Sequence, residues 1–200
     1  MVSQGIVYIA YGAKAMREAE SAIQQGQHGY ETFLIGHAAE LKASQMLKPR
    51  TSAQTARYTK TSLDRLSPYD HTLYLDADTR VTGNLQPGFD LLVAGFDMVI
   101  VPSASQGNDL LWHISEEERE VTFDECGYHP LQLQAGVFWF AKNIRTKAFF
   151  HAWREEWLRW SGEDQGAFTR ALRRSPLKLW LLGRPFNGGP VIQHHFGACR

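Results

Sequence analysis

The sequence predicts an α/β fold in which a mostly parallel central sheet is flanked by helices. Short apolar runs alternate with helical stretches over the first half of the chain, as they do in parallel sheets. The first run, IVYIAY at residues 6–11, is uniformly apolar and ends at Gly12, which is typical of a strand covered on both faces. The chain has 200 residues, of which 44% are apolar, so we expect a single domain over residues 1–200 with its own core.

Each element is predicted from its composition and from the residue that ends it. Gly26 ends the first helix, Pro68 ends a mostly helical stretch, and Pro102 closes a central strand. The strand over residues 71–75 runs directly into Asp76. The predicted strands cover residues 6–11, 31–36, 71–75, 97–101, 134–141, 177–182 and 191–196. The predicted helices cover residues 13–25, 38–66, 146–160 and 164–172, and residues 106–127 are predicted to be loop with a short helix.

Charge and cysteine content exclude several classes of protein. The 21 basic residues balance the 21 acidic ones, so the chain has no overall field that would attract nucleic acid or an anionic membrane. Two cysteines, Cys126 and Cys199, are too few for a disulfide scaffold and suit a reducing compartment. No apolar stretch approaches the length of a membrane span. We therefore expect a soluble cytoplasmic protein without a membrane span or a nucleic-acid partner.

Asp76 and Asp78 form the strongest candidate site, because they directly follow an apolar strand. Ligands of open α/β sheets bind outside the carboxyl ends of the strands. Two close carboxylates repel each other unless a cation lies between them, and Mg²⁺ or Mn²⁺ can be shared with substrate phosphates. The plain alternative is an acidic strand end that caps the following turn. A haloacid-dehalogenase-type phosphatase is disfavoured, because Arg80 replaces the Thr or Val of its motif and the motif is not on the first strand.

Four segments resemble, in order, the glycogenin and bacterial lipopolysaccharide-galactosyltransferase family of retaining glycosyltransferases, which has the Rossmann-like GT-A fold. The first is TKTSLDRLSPYDHTLYLDADT at residues 59–79, where a Thr-Lys-containing helix leads into a strand ending in DADT. The others are QAGVFWF at 134–140, GEDQGAF at 162–168 and RPFNGGPVIQHHFG at 184–197. The chain departs from the family pattern at Gln134, where Asn is usual, and in the shortened spacing between Phe196 and Gly197.

The resemblance implies a role for each matching residue. Ala10 and Tyr11 would contact the nucleotide base, and Lys60 would approach the nucleotide or diphosphate. Asp164 and Gln165 would face the reacting sugar or the acceptor. The motif favours His195 over its neighbour His194 as a third metal ligand, and adjacent strand residues point to opposite faces. The implied metal ligands are Asp76, Asp78 and His195, and the remaining residues implied in donor binding are Ala77, Gly136 and Gly197.

These residues predict transfer of a sugar from a nucleotide-diphosphate donor to an acceptor hydroxyl, with Mn²⁺ or Mg²⁺ as cofactor. The resemblance implies a UDP-sugar donor and retention of anomeric configuration, whereas the sequence does not identify the acceptor. Two alternatives remain open. A sugar-nucleotide-forming nucleotidyltransferase would need a Gly-rich basic loop, and YGAKAMR at residues 11–17 fits that poorly. A non-catalytic protein that binds nucleotide sugars would explain the altered final motif.

Overall fold

The computed structural model describes residues 2–26, 28–36, 51–103, 111–127 and 131–195. The strands are β1 (Gln4–Ile9), β2 (Glu31–Ile35), β3 (His71–Asp76), β4 (Thr79–Val81), β5 (Met98–Pro102), β6 (Leu133–Ala141), β7 (Leu179–Leu181) and β8 (Ile192–His194). The α-helices are α1 (Ala13–Gln25), α2 (Ser52–Lys60), α3 (Leu63–Leu66), α4 (Gln86–Val93), α5 (Glu116–Cys126), α6 (Ile144–Trp160) and α7 (Gln165–Arg174). None of the helices in these ranges is both long and apolar enough to cross a membrane.

Six strands form the central sheet in the order β2-β1-β3-β6-β5-β7. β6 runs antiparallel to both of its neighbours, and the other pairings in the sheet are parallel. The predicted mostly parallel α/β fold is therefore confirmed. Ile9 pairs with Asp76, so β1 and β3 end side by side at the same edge of the sheet.

A second, two-stranded sheet connects distant parts of the sequence at that edge. β4 follows β3 after a short turn and pairs antiparallel with β8, with Thr79 opposite His194. The pairing continues beyond the strands, because the backbone N–H groups of Thr82 and Gly83 both donate to the carbonyl of Val191. Pairing in this small sheet places the end of the described chain beside the two aspartates.

Strand alternation divides the core into two apolar clusters, one on each face of the sheet. Phe138 and Phe140 of β6 pack with Phe149 and Trp153 of α6, whereas Trp139 faces the opposite cluster. Both faces of the sheet are thus covered, which explains why the strands read as continuous apolar runs.

Several predicted boundaries differ from the structure. The predicted strand over 177–182 is limited to Leu179–Leu181, and that over 191–196 to Ile192–His194. In the predicted 38–66 helix, α2 and α3 are separated at Thr61–Ser62, and residues 38–50 lie outside the described residues. β4 and α4 were not predicted, because each is short and lacks a distinct hydrophobic period.

Asp97, directly before β5, joins three elements. Its fully buried carboxylate accepts hydrogen bonds from Asn143 Nδ2 at 2.8 Å and from the backbone N–H of Lys178 at 2.9 Å. Arg145 adds two further bonds at 2.7 Å each. Burial alone would raise the pKa of Asp97, but these donors hold it below its usual value. The ionised carboxylate therefore ties the start of β5 to α6 and to the segment entering β7.

We expect Asp97→Asn to lower the free energy of unfolding at pH 7 by about 1–3 kcal/mol, since it removes charge-assisted hydrogen bonds. A lowered folded-state pKa stabilises the protein above the unfolded pKa of about 3.9, and this contribution is lost as the pH falls through the folded value. Urea unfolding at pH 7 and at about pH 3 should therefore show the deficit of the variant shrinking in acid. Asp124→Asn, at an exposed position on α5, is the matched control. An equal deficit at both pH values would contradict this role of the charge.

Candidate functional site

Asp76 and Asp78 lie where β3 ends, and a hydrogen bond to the backbone carbonyl of each residue holds it in place. The hydroxyl of Thr79 donates to the carbonyl of Asp76 at 2.8 Å, which closes the turn between them. The backbone N–H of His195 donates to the carbonyl of Asp78 at 2.9 Å. The Asp76 side chain is 31% exposed and that of Asp78 is 9% exposed. Ala77 between them is buried.

The structure brings His194, and not the favoured His195, to the two carboxylates. Nε2 of His194 lies 3.2 Å from Oδ1 of Asp78. Ligand atoms of Asp76, Asp78 and His194 all lie within 4.8 Å of one another. The antiparallel register sets residue 194 beside the turn, and alternation along the strand then directs His195 to solvent, where it is exposed.

Gly136 on β6 leaves the space that these side chains occupy. A Cβ atom at this position would lie 2.6 Å from Asp76 Oδ2 and 2.7 Å from His194 Cε1, both too close for any real side chain. Two carboxylates and an imidazole around this space suit a divalent cation. A site that includes an imidazole suits Mn²⁺ better than a site made of oxygen ligands alone. The residues present therefore fit the implied metal.

Lys60, the last residue of α2, lies between two carboxylates. Its ammonium is 3.1 Å from Asp76 Oδ1 and 2.8 Å from Asp164 Oδ2, and its side chain is 7% exposed. Burial alone would lower the pKa of Lys60, but Asp164 and Asp76 raise it above its usual value. Burial would likewise raise the pKa of Asp164, but Lys60 holds it below its usual value. Lys60 and Asp164 are thus a charged pair at neutral pH.

Tyr74 is a further contact of Asp76 that the sequence analysis missed. Its hydroxyl donates to Asp76 Oδ1 at 2.6 Å, and the Lys60 ammonium lies 5.0 Å from the centre of its ring. Burial and the neighbouring Asp76 raise the pKa of Tyr74 well above its usual value, so its hydroxyl remains a donor. Its position two residues before Asp76 on a strand was the available signal, since such residues share a face.

The start of α7 holds the predicted catalytic residues. Asp164 precedes the helix, and its carbonyl accepts a hydrogen bond from Trp153 Nε1 at 3.1 Å. The Gln165 side chain is buried, and its Nε2 donates to the carbonyl of Leu133 at the start of β6. Asp164 therefore joins the charge network of Asp76 through Lys60, whereas Gln165 fastens α7 to the sheet.

The two residues expected at the nucleotide base lie at the end of β1. Ala10 is buried, and its N–H donates to the carbonyl of Ile35 at 2.9 Å. Tyr11 is half-buried, and its hydroxyl accepts a hydrogen bond from Thr59 at 3.3 Å. Thr59 precedes Lys60 on α2, so Tyr11 contacts the end of the helix that carries Lys60. Gly197 lies outside the described residues.

Solved structures similar to this one include several glycosyltransferases. The apo form of mouse xyloside xylosyltransferase 1 is 13% identical with a TM-score of 0.58, over 93% of this chain and 87% of that one. A glycosyltransferase involved in glycosylation of the major capsid of PBCV-1 is 12% identical with a TM-score of 0.60, over 98% and 93%. The galactosyltransferase LgtC, in complex with donor and acceptor sugar analogues, is 18% identical with a TM-score of 0.55, over 92% and 74%.

These similarities confirm the predicted GT-A fold. No family model matches the sequence, and no curated protein sequence matches it. Because one fold hosts many chemistries, the activity has to be argued from the site itself.

We expect Lys60→Met to lower the free energy of unfolding by about 3–5 kcal/mol, because it leaves the Asp164 carboxylate buried without its cation. Adding Asp164→Asn to this variant should restore most of the loss, which urea denaturation would measure. Equal stability of Lys60→Met and the double variant would show that the unpaired Asp164 charge is not what destabilises Lys60→Met.

We expect Gly136→Ala to weaken Mn²⁺ binding by about 10-fold or more, because the methyl group displaces Asp76 and His194. Electron paramagnetic resonance of free Mn²⁺ during titration measures this affinity. Gly183→Ala is the control, since its Cβ would meet its nearest neighbour, Pro185 Cδ, at an ordinary 3.4 Å. Unchanged affinity in the Gly136 variant would place the cation elsewhere.

Proposed function

We propose that this chain is a metal-dependent glycosyltransferase that moves a sugar from a nucleotide-diphosphate donor, a UDP-sugar, to an acceptor hydroxyl with retention of configuration. The observation that carries the proposal is the cluster of Asp76, Asp78 and His194 at the carboxyl edge of a GT-A sheet. In open α/β sheets this edge is where ligands bind. LgtC, which has this fold, was solved with donor and acceptor sugar analogues.

Asp76, Asp78 and His194 would hold Mn²⁺ or Mg²⁺ in this enzyme. When bound, the ion supplies a Lewis acid against the negative charge that develops on the departing diphosphate. Tyr74 and Lys60 both contact Oδ1 of Asp76, so Oδ2 faces the space that Gly136 leaves open.

Lys60 is suited to the diphosphate because it stays protonated. The ammonium has three N–H donors, and the carboxylates of Asp76 and Asp164 take two of them. The third can be donated to an oxygen of the donor substrate. A positive point charge held beside the leaving group stabilises it without reorganising during the reaction.

Asp164 and Gln165 act on the sugar side of the bond that breaks. The carbon left by the departing diphosphate resembles an oxocarbenium ion, and a carboxylate that stays ionised stabilises such a charge. The amide nitrogen of Gln165 is held by Leu133, so its side-chain oxygen is the atom that can orient an acceptor hydroxyl. In same-face transfer, the leaving phosphate accepts the proton of that hydroxyl.

We expect the purified chain to hydrolyse one donor slowly in a panel of nucleotide-diphosphate sugars, with Mn²⁺ and not with a chelator. Asp78→Ala should lower this rate by at least about 100-fold, since removing a ligand exceeds the effect of disturbing its orientation. Asp124→Ala is the control for removing a carboxylate elsewhere. The anomeric configuration of a transfer product, determined by NMR, then tests retention.

Three other outcomes would contradict parts of the proposal. Metal-dependent donor binding without turnover or transfer would identify a non-catalytic binding protein. No binding of any nucleotide sugar, with or without metal, would refute the donor site itself. An inverted product would refute retention while leaving the transferase activity in place.

A further inference from the structure

Asn187 is a buried residue beside the metal cluster with no role assigned so far. It directly follows the 3₁₀ turn Arg184–Phe186 and is 7% exposed. Its Oδ1 lies 2.8 Å from Nδ1 of His194. Its backbone N–H donates to the carbonyl of Arg184 at 3.0 Å, so the turn fixes the position from which the side chain reaches His194.

The loop between the two residues holds them face to face. Gly188 has φ +86°, a conformation that favours glycine, and its N–H donates to the carbonyl of Ile192 at 2.9 Å. The N–H of Gly189 donates to the same carbonyl at 3.2 Å. This tight reversal places Asn187 on one arm and His194 on the other, so their contact is a product of the local backbone.

The contact selects one form of the imidazole ring. A neutral imidazole carries one N–H, and the hydrogen bond made by one nitrogen decides which nitrogen carries the proton. The Asn187 oxygen is an acceptor, so it pairs with a protonated Nδ1 of His194. Nε2 then presents its lone pair towards Asp78 Oδ1, 3.2 Å away.

We propose that Asn187 is a positioning residue for the metal site, which holds His194 with its proton on Nδ1 so that the lone pair on Nε2 is the one that binds the cation. Metal-ligating histidines commonly donate their second N–H to such a partner, which orients the ring. The inference rests on the proposed metal-dependent function. It adds a residue that acts on the cation through His194.

Without Asn187 the opposite tautomer becomes the favourable one. With its proton on Nε2, the ring would donate to Asp78 Oδ1, and two ligands would then be joined to each other. Asn187 therefore prevents His194 and Asp78 from closing the site with a hydrogen bond of their own.

Two substitutions separate this role from packing. Asn187→Leu keeps a similar volume and removes the acceptor, whereas Asn187→Asp keeps the shape and the acceptor. ¹⁵N NMR of the metal-free protein at alkaline pH, where histidine is neutral, reports which ring nitrogen is protonated. The chain has eight histidines, and a His194→Gln sample assigns the signal.

We expect the wild type and Asn187→Asp to carry the His194 proton on Nδ1, and Asn187→Leu to carry it on Nε2. Mn²⁺ affinity should fall by about 10–100-fold in Asn187→Leu and should not fall in Asn187→Asp. Asn84→Asp adds the same charge outside the site, and its affinity should match that of the wild type.

The possible contradictions are distinct from failure of the proposed function. A wild-type proton on Nε2 would mean either that Asp78, and not Asn187, sets the tautomer or that the Asn187 amide is oppositely oriented, and both would overturn the inference. So would wild-type Mn²⁺ affinity in Asn187→Leu. If Asn187→Leu does not fold, a loss of affinity in Asn187→Asp as large as in Asp78→Ala overturns it. If the wild type and Asp78→Ala both fail to bind Mn²⁺, the proposed function fails instead, and the NMR result still decides the tautomer.

Discussion

Electrostatic repulsion among carboxylates is the constraint on which the arrangement of this site depends. Asp76, Asp78 and Asp164 converge at one edge of the sheet, and Asp78 and Asp164 are largely removed from water. Buried like charges are tolerated only when counter-charges and hydrogen bonds accompany them. Lys60 serves two of the three carboxylates, and Tyr74 donates to one of these. The surrounding fold positions Lys60 and Tyr74 beside these carboxylates.

The positions of the site residues depend on contacts between elements far apart in the sequence. Lys60 arrives at the end of α2, Asp164 arrives at the start of α7, and His194 arrives through the small β4–β8 sheet. The antiparallel strand β6 leaves space for the site, because Gly136 lacks the Cβ atom that would fill it. The site therefore forms only when both sheets are assembled.

The sequence predicted those features that follow from local pattern. The apolar run of β3 followed by Asp76 and Asp78 placed the carboxylates correctly at a strand end, and the alternation of strands and helices predicted the fold. The motif favoured His195, whereas the structure brings His194 to the carboxylates, because that choice depends on the register of β8 against β4. The resemblance also implies that Gly136 lies near the donor sugar, and the structure adds that it lies beside Asp76 and His194, a packing relation that spacing does not reveal.

The charges of the site suggest an order of binding. Three carboxylates and the single ammonium of Lys60 leave two negative formal charges at the sheet edge. A diphosphate that approached this edge alone would meet repulsion at short range and in a partly desolvated setting, where charges interact strongly. In the proposed enzyme, a divalent cation would balance the two charges and leave Lys60 to meet the phosphate. If the proposed function holds, these charges would favour binding of the cation before the donor, and the orientation of His194 and Asp76 would then govern the first step and not only the chemical one.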